Sequence, residues 1–363
     1  MEILIGMDDA GYGRNYGPLV VAATAWQVES GERGARSGEQ EPVPAGGKSA
    51  AARATLLTPP STLRTPHSAA PPDLYHHLRA IIAKRPSTRR IAIADSKSLY
   101  TPGLGLRQLE LGLHAVLLAL QQSPTCWSAI VDYCEADPAG HHKTTCWPDD
   151  FNCQLPIDAA ADESTRLAAR LTRACETANV RPLLIRARMI YPAQFNDLVA
   201  HHGSKGAALS HITVGLLREI IDSIALSLTS DLRPLTSFSA VCDKHGGRNF
   251  YAALLQHHFS EHWIELIHES RPESRYEWGP PESRTRVAFR MKGERFLPTA
   301  LASMTAKYLR ELSMRAFNQF WAARIPDLKP TAGYPKDAQR FRKAIANAQR
   351  ELKIDDHFIW RNR

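Results

Sequence analysis

The first thirty residues constrain the fold of this chain more than any other segment. An apolar alternation over residues 3–7 predicts a β-strand that begins almost at the first residue. The strand delivers two adjacent carboxylates, Asp8 and Asp9, into a turn with three glycines. A second apolar run, residues 19–26, predicts the return strand of a hairpin. Two acids beside a loop of bare backbone suit a divalent cation and a phosphodiester, although such pairs are more often turn residues.

Composition favours a basic globular protein with a polyanionic partner. The chain has 363 residues, 44% of them hydrophobic, and is expected to form one domain over residues 1–363. Its formal net charge of +8 and its pI near 9.2 make nucleic acid the simplest partner. Since no apolar run reaches membrane-spanning length and no signal peptide precedes the first strand, we expect a cytoplasmic protein without membrane association. No obligate protein partner is inferred.

Three segments depart from the pattern of the remaining chain. Residues 31–72 are dominated by Gly, Pro, Ser, Ala, Arg and Thr without apolar periodicity, which predicts a disordered insertion. Residues 123–160 are rich in Cys, Trp, Pro and Asp, which predicts an irregular insertion. Residues 325–363 are expected to form a C-terminal helical extension.

The cysteines and histidines of the second insertion invite comparison with a zinc site. The residues concerned are Cys134, His141, His142, Cys146 and Cys153. Their spacings fit none of the usual zinc patterns, and the chain has no close Cys-x-x-Cys pair. Reduced, unlinked thiols are therefore the expectation.

The rest of the sequence alternates between helix and strand patterns. Helices are expected at 73–84, 106–120, 161–178, 208–228, 249–258 and 298–321. Extended segments are expected at 91–94, 183–190, 239–243, 263–268 and 286–291. Strands interleaved with long helices predict an α/β architecture with a mixed central sheet.

Acidic residues follow three of the expected strands. Asp8 and Asp9 follow the first, Asp243 ends another, and Glu294 comes after the last. If these strands are neighbours in one sheet, four carboxylates lie within reach of a shared pair of cations. Carboxylate oxygens suit Mg²⁺ or Mn²⁺ rather than zinc. Two such ions support in-line displacement at phosphorus without a side-chain nucleophile.

Five short motifs, in chain order, resemble those of the type 2 ribonucleases H, the ribonucleases HII and HIII. Residues 8–18 read Asp-Asp-Ala-Gly-Tyr-Gly-x-x-x-Gly-Pro, where the family usually has Asp-Glu-x-Gly-x-Gly-x-x-x-Gly-Pro. Residues 95–99 are similar to its second motif, Asp-Ser-Lys-x-Leu. Residues 191–196 are similar to a Tyr-Asn segment of ribonuclease HIII. Residues 292–307 resemble the family's acid followed by an Ala-Ser-x-x-Ala-Lys helix, and residues 333–334 its Gly-Tyr.

The resemblance implies an RNase H-like α/β fold, with a central mixed sheet flanked by helices. It also implies endonucleolytic hydrolysis of RNA within an RNA–DNA hybrid or another ribonucleotide-containing duplex, leaving 3′-hydroxyl and 5′-phosphate ends. The catalytic residues, which also hold two Mg²⁺ or Mn²⁺ ions, are then Asp8, Asp9, Asp243 and Glu294. By motif position, the residues expected to bind substrate are Gly11, Tyr12, Gly13, Asp95, Ser96, Lys97, Lys307 and Tyr334.

The stretch that follows Asp243 has two interpretations. A Gly-Gly turn before a helix exposes backbone N–H groups that can bind phosphate, and Lys244 and Arg248 would add positive charge there. His245 could then carry a proton to the leaving oxygen. Alternatively, this stretch is a helix-capping turn with solvated basic residues.

Departures from the family pattern, which include the stretch after Asp243 and the two insertions, leave other functions open. Asp9 stands where the family usually has Glu, and Tyr12 stands where it usually has Arg, Lys or Thr. The alternatives are an RNase H-like protein that binds nucleic acid without hydrolysis, and a DNA nuclease or resolvase on the same fold. Four further histidines are expected to be ordinary surface or core residues: His114, His211, His257 and His258.

Overall fold

The structure is a computed structural model that describes residues 1–29, 70–101, 103–135, 151–228 and 236–362. The expected disordered insertion, residues 31–72, lies outside the described residues except for its last three positions. The central part of the other insertion, residues 136–150, is also outside them and contains His141, His142 and Cys146.

A seven-stranded mixed sheet forms the centre of the molecule. Its strands are β1 (Glu2–Ala10), β2 (Leu19–Val28), β5 (Val180–Ile190), β6 (Ser237–Asp243), β7 (Glu265–Glu269), β8 (Glu273–Trp278) and β9 (Thr285–Arg290). They lie in the order β5-β2-β1-β6-β9-β8-β7. β1 pairs antiparallel with β2, as the hairpin pattern predicts, and parallel with β6, which in turn pairs parallel with β9. A separate parallel pair consists of β3 (Ile82–Ala83) and β4 (Ile91–Ala92).

Helices cover both faces of the sheet. They are α1 (Leu74–His77), α2 (Ser96–Leu99), α3 (Arg107–Ala119), α4 (Trp127–Cys134), α5 (Ala161–Ala178), α6 (Pro192–His202), α7 (Lys205–Ser227), α8 (Ala252–His258), α9 (Leu297–Ala322), α10 (Pro335–Glu351) and α11 (Asp356–Ile359). Because successive strand residues point to opposite faces, Leu4 and Trp26 join a core with α3 and α9, whereas Ile3 and Ile5 join a second core with α7 and α8. The predicted α/β class, with a central mixed sheet flanked by helices, is confirmed.

The long helix α9 lies directly against the central strands at its N-terminal end. Thr299 Oγ1 donates to the Val241 carbonyl oxygen of β6 at 2.8 Å. Thr24 Oγ1 of β2 donates to the Pro298 carbonyl oxygen at 2.8 Å. A side chain at Gly6 would overlap the backbone of Pro298 and Thr299, so glycine at this position permits the close approach. This packing fixes α9 relative to the ends of β1 and β6.

Several local predictions differ from the structure. The helix expected over 73–84 ends at His77, because Ile82 and Ala83 form a strand with β4 instead. The segment 123–160, expected to be irregular, contains the helix α4. The strand β8 lies where the sequence pattern indicates no element. Among the described residues, no helix combines the length and apolarity that crossing a membrane requires.

Candidate active site

The sheet brings the acids of β1 and β6 to the same edge. Met7 lies opposite Cys242 in the parallel pair, so Asp8 and Asp243 follow at equivalent positions of neighbouring strands. Asp8, its neighbour Asp9 and Asp243 are all half-buried. The backbone N–H of Asp9 donates to Oδ1 of Asp8 at 2.8 Å. Parallel strand ends at one sheet edge therefore gather three carboxylates, as the sequence pattern requires.

Glu294 reaches the same edge through the turn that follows β9. Lys292 adopts a left-handed conformation with φ of 63°, and residues 293–295 form a 3₁₀ turn. The Gly293 N–H donates to Oδ1 of Asp243 at 3.1 Å. Glu294 contributes to the raised pKa of Asp243, which places its carboxylate within electrostatic range of that group. The four acids expected from the sequence therefore lie at the same edge of the sheet.

The electrostatics of this cluster favour a bound cation. Burial, followed by repulsion from Asp9 and Asp243, raises the pKa of Asp8 well above its usual value. Burial and then Asp243 raise the pKa of Asp9 to about 7. Burial also raises the pKa of Asp243. A divalent cation would offset this repulsion, and a donor set made only of carboxylate oxygens fits Mg²⁺ or Mn²⁺.

Lys97 interacts electrostatically with all four acids. It lies exposed in the short helix α2, which Asp95 caps by accepting a hydrogen bond from the Lys97 N–H at 3.0 Å. Partial burial lowers the pKa of Lys97, but nearby carboxylates, first Asp95 and then Asp8, outweigh that effect and raise it overall. Asp243 and Glu294 contribute to the same rise. Asp95 is therefore the residue that positions Lys97 beside the acids.

The glycine-rich turn continues from Asp9 towards Tyr334. Gly11 has φ of 96°, and a side chain there would overlap Arg310, whereas Gly13 faces open space. The Asn15 N–H donates to the Gly333 carbonyl oxygen at 2.9 Å. These contacts place two of the expected substrate-binding segments side by side.

Tyr334 and Tyr12 present aromatic rings beside this turn. The Tyr334 side chain is 55% exposed, and the Arg14 guanidinium stacks on its ring at 2.9 Å from the centroid. Tyr12 is half-buried, and Nζ of Lys205 lies 5.1 Å from the centroid of its ring. Both aromatic groups have a cationic neighbour, an arrangement that suits contact with a charged backbone.

The C-terminal segment supports the turn, and sequence reasoning missed this role. Arg361 is 1% exposed, and its Nη2 donates to the Gly11 carbonyl oxygen. Asn15 Nδ2 donates to the Arg361 carbonyl oxygen at 3.0 Å. Asn196 binds both neighbours of Arg361, donating to the Trp360 carbonyl oxygen and accepting from the Asn362 N–H, each at 2.9 Å. The Tyr-Asn motif, which contains Asn196, was the available signal.

The structure corrects the phosphate role expected for Lys244. Its Nζ donates to Asn249 Oδ1 at 2.9 Å, to the Ser270 carbonyl oxygen at 2.6 Å and to Ser274 Oγ at 3.1 Å. Since an ammonium group has three hydrogens, these bonds use all of them. Lys244 therefore joins the end of β6 to the β7–β8 hairpin.

His245 is likewise unsuited to the proton-transfer role considered for it. It is buried, and its Nδ1 lies 3.0 Å from Ser210 Oγ. Burial, followed by the positive charge of Arg248, lowers its pKa to about 3. Arg248 itself is half-buried, with its guanidinium 5.8 Å from the centroid of the Tyr251 ring.

Two further expected substrate residues are held by protein contacts. Ser96 is buried, and its Oγ accepts from Ser303 Oγ at 3.1 Å, so it supports the α2 turn from inside. Nζ of Lys307 donates to Glu311 Oε1 at 2.6 Å and lies 4.4 Å from the centroid of the Tyr100 ring. In the free chain both side chains therefore have protein partners, and their contact with substrate stays a prediction of the sequence.

A groove extends from Asp243 along the outer surface. Its lining includes the exposed Gly246–Gly247 turn and two exposed cations, Arg271 and Lys292. These groups lie near the acids and are accessible to an anion. Backbone N–H groups of a glycine turn together with Arg and Lys side chains form a suitable phosphate surface.

Comparison with solved structures finds type 2 ribonucleases H. The chain is similar to ribonuclease HII of Archaeoglobus fulgidus, solved with PCNA, at 15% identity and a TM-score of 0.37, covering 99% of this chain and 94% of that chain. It is similar to ribonuclease H2 of Pyrococcus horikoshii at 12% identity and a TM-score of 0.39, covering 98% and 92%. It is also similar to Bst ribonuclease HIII, solved with Mn²⁺, at 12% identity and a TM-score of 0.37, covering 99% and 65%. No protein-family profile matches the sequence, and no curated protein is significantly similar to it.

Proposed function

We propose that this chain is a divalent-metal-dependent endoribonuclease of the type 2 ribonuclease H kind, which hydrolyses the RNA strand of RNA–DNA hybrids. One observation carries the proposal: Asp8 and Asp243 lie at equivalent positions near the ends of adjacent parallel strands, with Asp9 and Glu294 beside them. The raised pKa values of the three aspartates support a cluster built to receive positive charge. The ordered family motifs in the sequence point the same way.

The residues that would hold two Mg²⁺ or Mn²⁺ ions are Asp8, Asp9, Asp243 and Glu294. When bound, such ions supply an activated water and stabilise the charge that develops on the phosphoryl and leaving oxygens. The protein's own contribution is to hold four mutually repelling carboxylates in place. Lys97 lessens that repulsion from the solvent side, since it lowers the pKa of both Asp9 and Asp243.

Selection for a ribose is assigned to the glycine turn and the neighbouring Tyr334. Gly11 and Gly13 bring bare backbone to the surface beside Asp9, where a 2′-hydroxyl can exchange hydrogen bonds with peptide groups. The exposed ring of Tyr334 lies next to this turn and can pack against a sugar. Arg14, stacked on that ring, adds a positive charge for the adjoining phosphate.

The nucleic acid backbone is expected to follow the groove beside Asp243. Arg271, Lys292 and the Gly246–Gly247 turn are the phosphate-binding groups in this proposal. The overall charge of +8 favours the same class of partner. Cytoplasmic location and independence from an obligate protein partner stay predictions of the sequence.

Hydrolysis of a labelled RNA–DNA hybrid by the full chain tests the proposal. We expect cleavage of the RNA strand with Mg²⁺ or Mn²⁺ and none after chelation. Asp243→Asn should abolish cleavage, whereas Asp132→Asn, at an exposed site on α4, should leave it unchanged. Wild-type protein that binds the hybrid tightly in Mg²⁺ or Mn²⁺ yet never cuts it would contradict the proposal and favour a non-hydrolytic binding protein.

Substrate comparison separates the remaining alternatives. An all-DNA duplex, a full hybrid and a DNA duplex with a single ribonucleotide should be offered at equal concentration. We expect cleavage of the two ribose-containing duplexes only, because the 2′-hydroxyl is what distinguishes them. Faster cleavage of the all-DNA duplex would instead indicate a DNA nuclease on this fold.

A further inference from the structure

A second cluster of ligating side chains lies where α6, α7 and α8 meet. His211 belongs to α7, and His257 and His258 end α8. Among the residues that the structure describes, these three place one ligand atom each within 4.8 Å of one another. The cluster shares no residue with the carboxylate site. The sequence-based expectation that His211, His257 and His258 are ordinary surface or core residues gives no account of this convergence.

The distance between two of the imidazoles matches shared coordination of one ion. Nδ1 of His211 lies 3.2 Å from Nε2 of His258. Two nitrogens that each lie about 2.0–2.1 Å from a tetrahedral ion are separated by about 3.3 Å. The pair is therefore already spaced as two ligands of one metal, and His257 needs only a side-chain adjustment to complete a set of three.

Neighbouring groups hold the two partly buried rings in place. The ring of His202, at the end of α6, stacks on that of His211 with centroids 4.1 Å apart and an interplanar angle of 10°. Arg218 Nη1 donates to the His258 carbonyl oxygen at 2.9 Å, and Asp222 and Glu261 hold Arg218 by ion pairs. Such supporting contacts orient the ligands of metal sites and strengthen them.

The chemistry of the ligand set selects the kind of ion. It offers imidazole nitrogen and no carboxylate, which suits Zn²⁺ and its first-row neighbours rather than Mg²⁺ or Ca²⁺.

We propose that His211, His257 and His258 form a binding site for a nitrogen-preferring divalent transition ion, with Zn²⁺ as the principal candidate. Three protein ligands leave a fourth position for water or a small anion. The ion would link the end of α8 to the side of α7. This site is independent of the nuclease proposal and uses different ligand chemistry.

Cobalt spectroscopy on the full chain tests the site, with Co²⁺ as the probe. Excess Mg²⁺ is included so that the carboxylate cluster does not take up the probe. We expect one equivalent of Co²⁺ with the intense visible absorption of a nitrogen-ligated, four-coordinate ion, and its displacement by one equivalent of Zn²⁺. His257→Gln and His211→Asn should each weaken binding by about 100-fold.

The exposed positions of two histidines give matched variants. His257 is exposed, so His257→Gln should fold normally, which circular dichroism and Tm can verify. His268→Gln, at an exposed position on β7, is the control and should bind like wild type. Binding that is equal in wild type and in both cluster variants would overturn the proposal, as would a spectrum without nitrogen ligation. Because hydrolysis is not measured, failure here leaves the nuclease test unaffected.

Discussion

The Gly293 N–H donates a hydrogen bond to Oδ1 of Asp243 at 3.1 Å and thereby joins two strand ends of the candidate site. Gly293 precedes Glu294 directly, so this bond sets where the turn after β9 begins relative to the acid of β6. The same bond lowers the pKa of Asp243, against the larger effect of burial, which raises it. The fourth carboxylate therefore depends on a backbone contact with the third.

Gly293→Ala should displace Glu294 while leaving its carboxylate unaltered, and so test how far hydrolysis depends on the position of this acid. A Cβ at this position would lie 3.2 Å from both N and Cα of Asp243 and 3.2 Å from Thr299 Cγ2. Because backbone atoms cannot yield easily, we expect the turn to shift and hydrolysis of the hybrid to fall by up to about 100-fold. Single-turnover cleavage with saturating metal measures this. Gly103→Ala, where a Cβ meets nothing within 4 Å, is the control; equal activity of both variants would contradict the prediction.

Asp9→Asn should stabilise the protein while removing its activity. In the folded chain the pKa of Asp9 is raised from 3.8 to about 7, mainly by burial and then by Asp243. Between these pH values the folded state keeps a proton that the unfolded state has released, so the free energy of unfolding decreases as the pH rises. Because asparagine has no ionisable carboxyl group, the free energy of unfolding of the variant does not decrease in this way.

The stability difference should therefore depend on pH. Near pH 4 we expect the variant and the wild type to have equal free energies of unfolding. The advantage of the variant should grow up to about pH 7 and then stay constant at about 1 kcal/mol or more. Urea unfolding without divalent metal measures the effect. Adding Mg²⁺ should raise the stability of the wild type more than that of the variant. A variant less stable than wild type at pH 8 without metal would contradict the repulsion described for this cluster.

Lys97→Met should change the pH dependence of cleavage. Lys97 lowers the pKa of Asp9 and Asp243, so Lys97→Met should move the pH of half-maximal cleavage upward. Lys343→Met, at an exposed position on α10, is the control and should not move it. An unchanged pH profile in Lys97→Met would show that Lys97 does not act on the carboxylates.

Lys244→Met should lower stability and leave phosphate binding unchanged. The substitution removes the donor for Asn249, Ser270 and Ser274, at an expected cost of about 1–3 kcal/mol in the free energy of unfolding. The slope of log affinity for the hybrid against log salt should stay as in wild type, whereas Lys292→Ala should reduce it by about one. A reduced slope in Lys244→Met would restore the phosphate role that the hydrogen bonds argue against.

Local sequence patterns were sufficient to predict the first hairpin of the central sheet. The alternation in β1 and the apolar run of β2 predicted a hairpin because period-two patterns and short glycine turns are local signals. The pairing of β1 with β6 could only be proposed, since it joins positions more than two hundred residues apart. It was the shared chemistry of Asp8 and Asp243, rather than their spacing, that suggested their proximity.

The missed elements show where local patterns are ambiguous. Leu74, Leu78 and Ile82 are spaced as on one helix face, and all are buried, yet the helix stops at His77 because Ile82 is used in a strand. Strand β8 was overlooked because it alternates charged residues with Ser, Tyr and Trp. Glu273 of this strand forms an ion pair with Arg290, which lies opposite it on β9.

Side-chain partners could not be predicted from the sequence. The phosphate role considered for Lys244 depended on a free ammonium group, and its three acceptors lie up to thirty residues away. The histidines of α7 and α8 are separated by more than forty residues, so no metal-ligand spacing was visible. Distance along the sequence also concealed the role of Arg361, because its partner Gly11 lies near the opposite end of the chain.

Arg361→Met should impair hydrolysis through Asp9 rather than through direct contact with substrate. The guanidinium is buried, donates to the Gly11 carbonyl oxygen and lowers the pKa of Asp9. Methionine retains the apolar stem but removes the charge, so the pKa of Asp9 should rise further and half-maximal cleavage should move to higher pH. Cleavage at pH 7 should fall by about tenfold, the effect of one pKa unit.

The pH profile distinguishes this positioning role from a purely structural one. Arg361→Lys retains a positive charge and should restore part of the wild-type profile, although an ammonium group lacks the forked donors of the guanidinium and should bind the turn more weakly. Arg350→Met, at an exposed position on α10, is the control for loss of one positive charge. Since Arg361 is buried, Tm must be measured for each variant. A lower Tm with an unshifted pH profile would mean that Arg361 only anchors the C-terminal segment, because loss of packing alone does not change the protonation of Asp9.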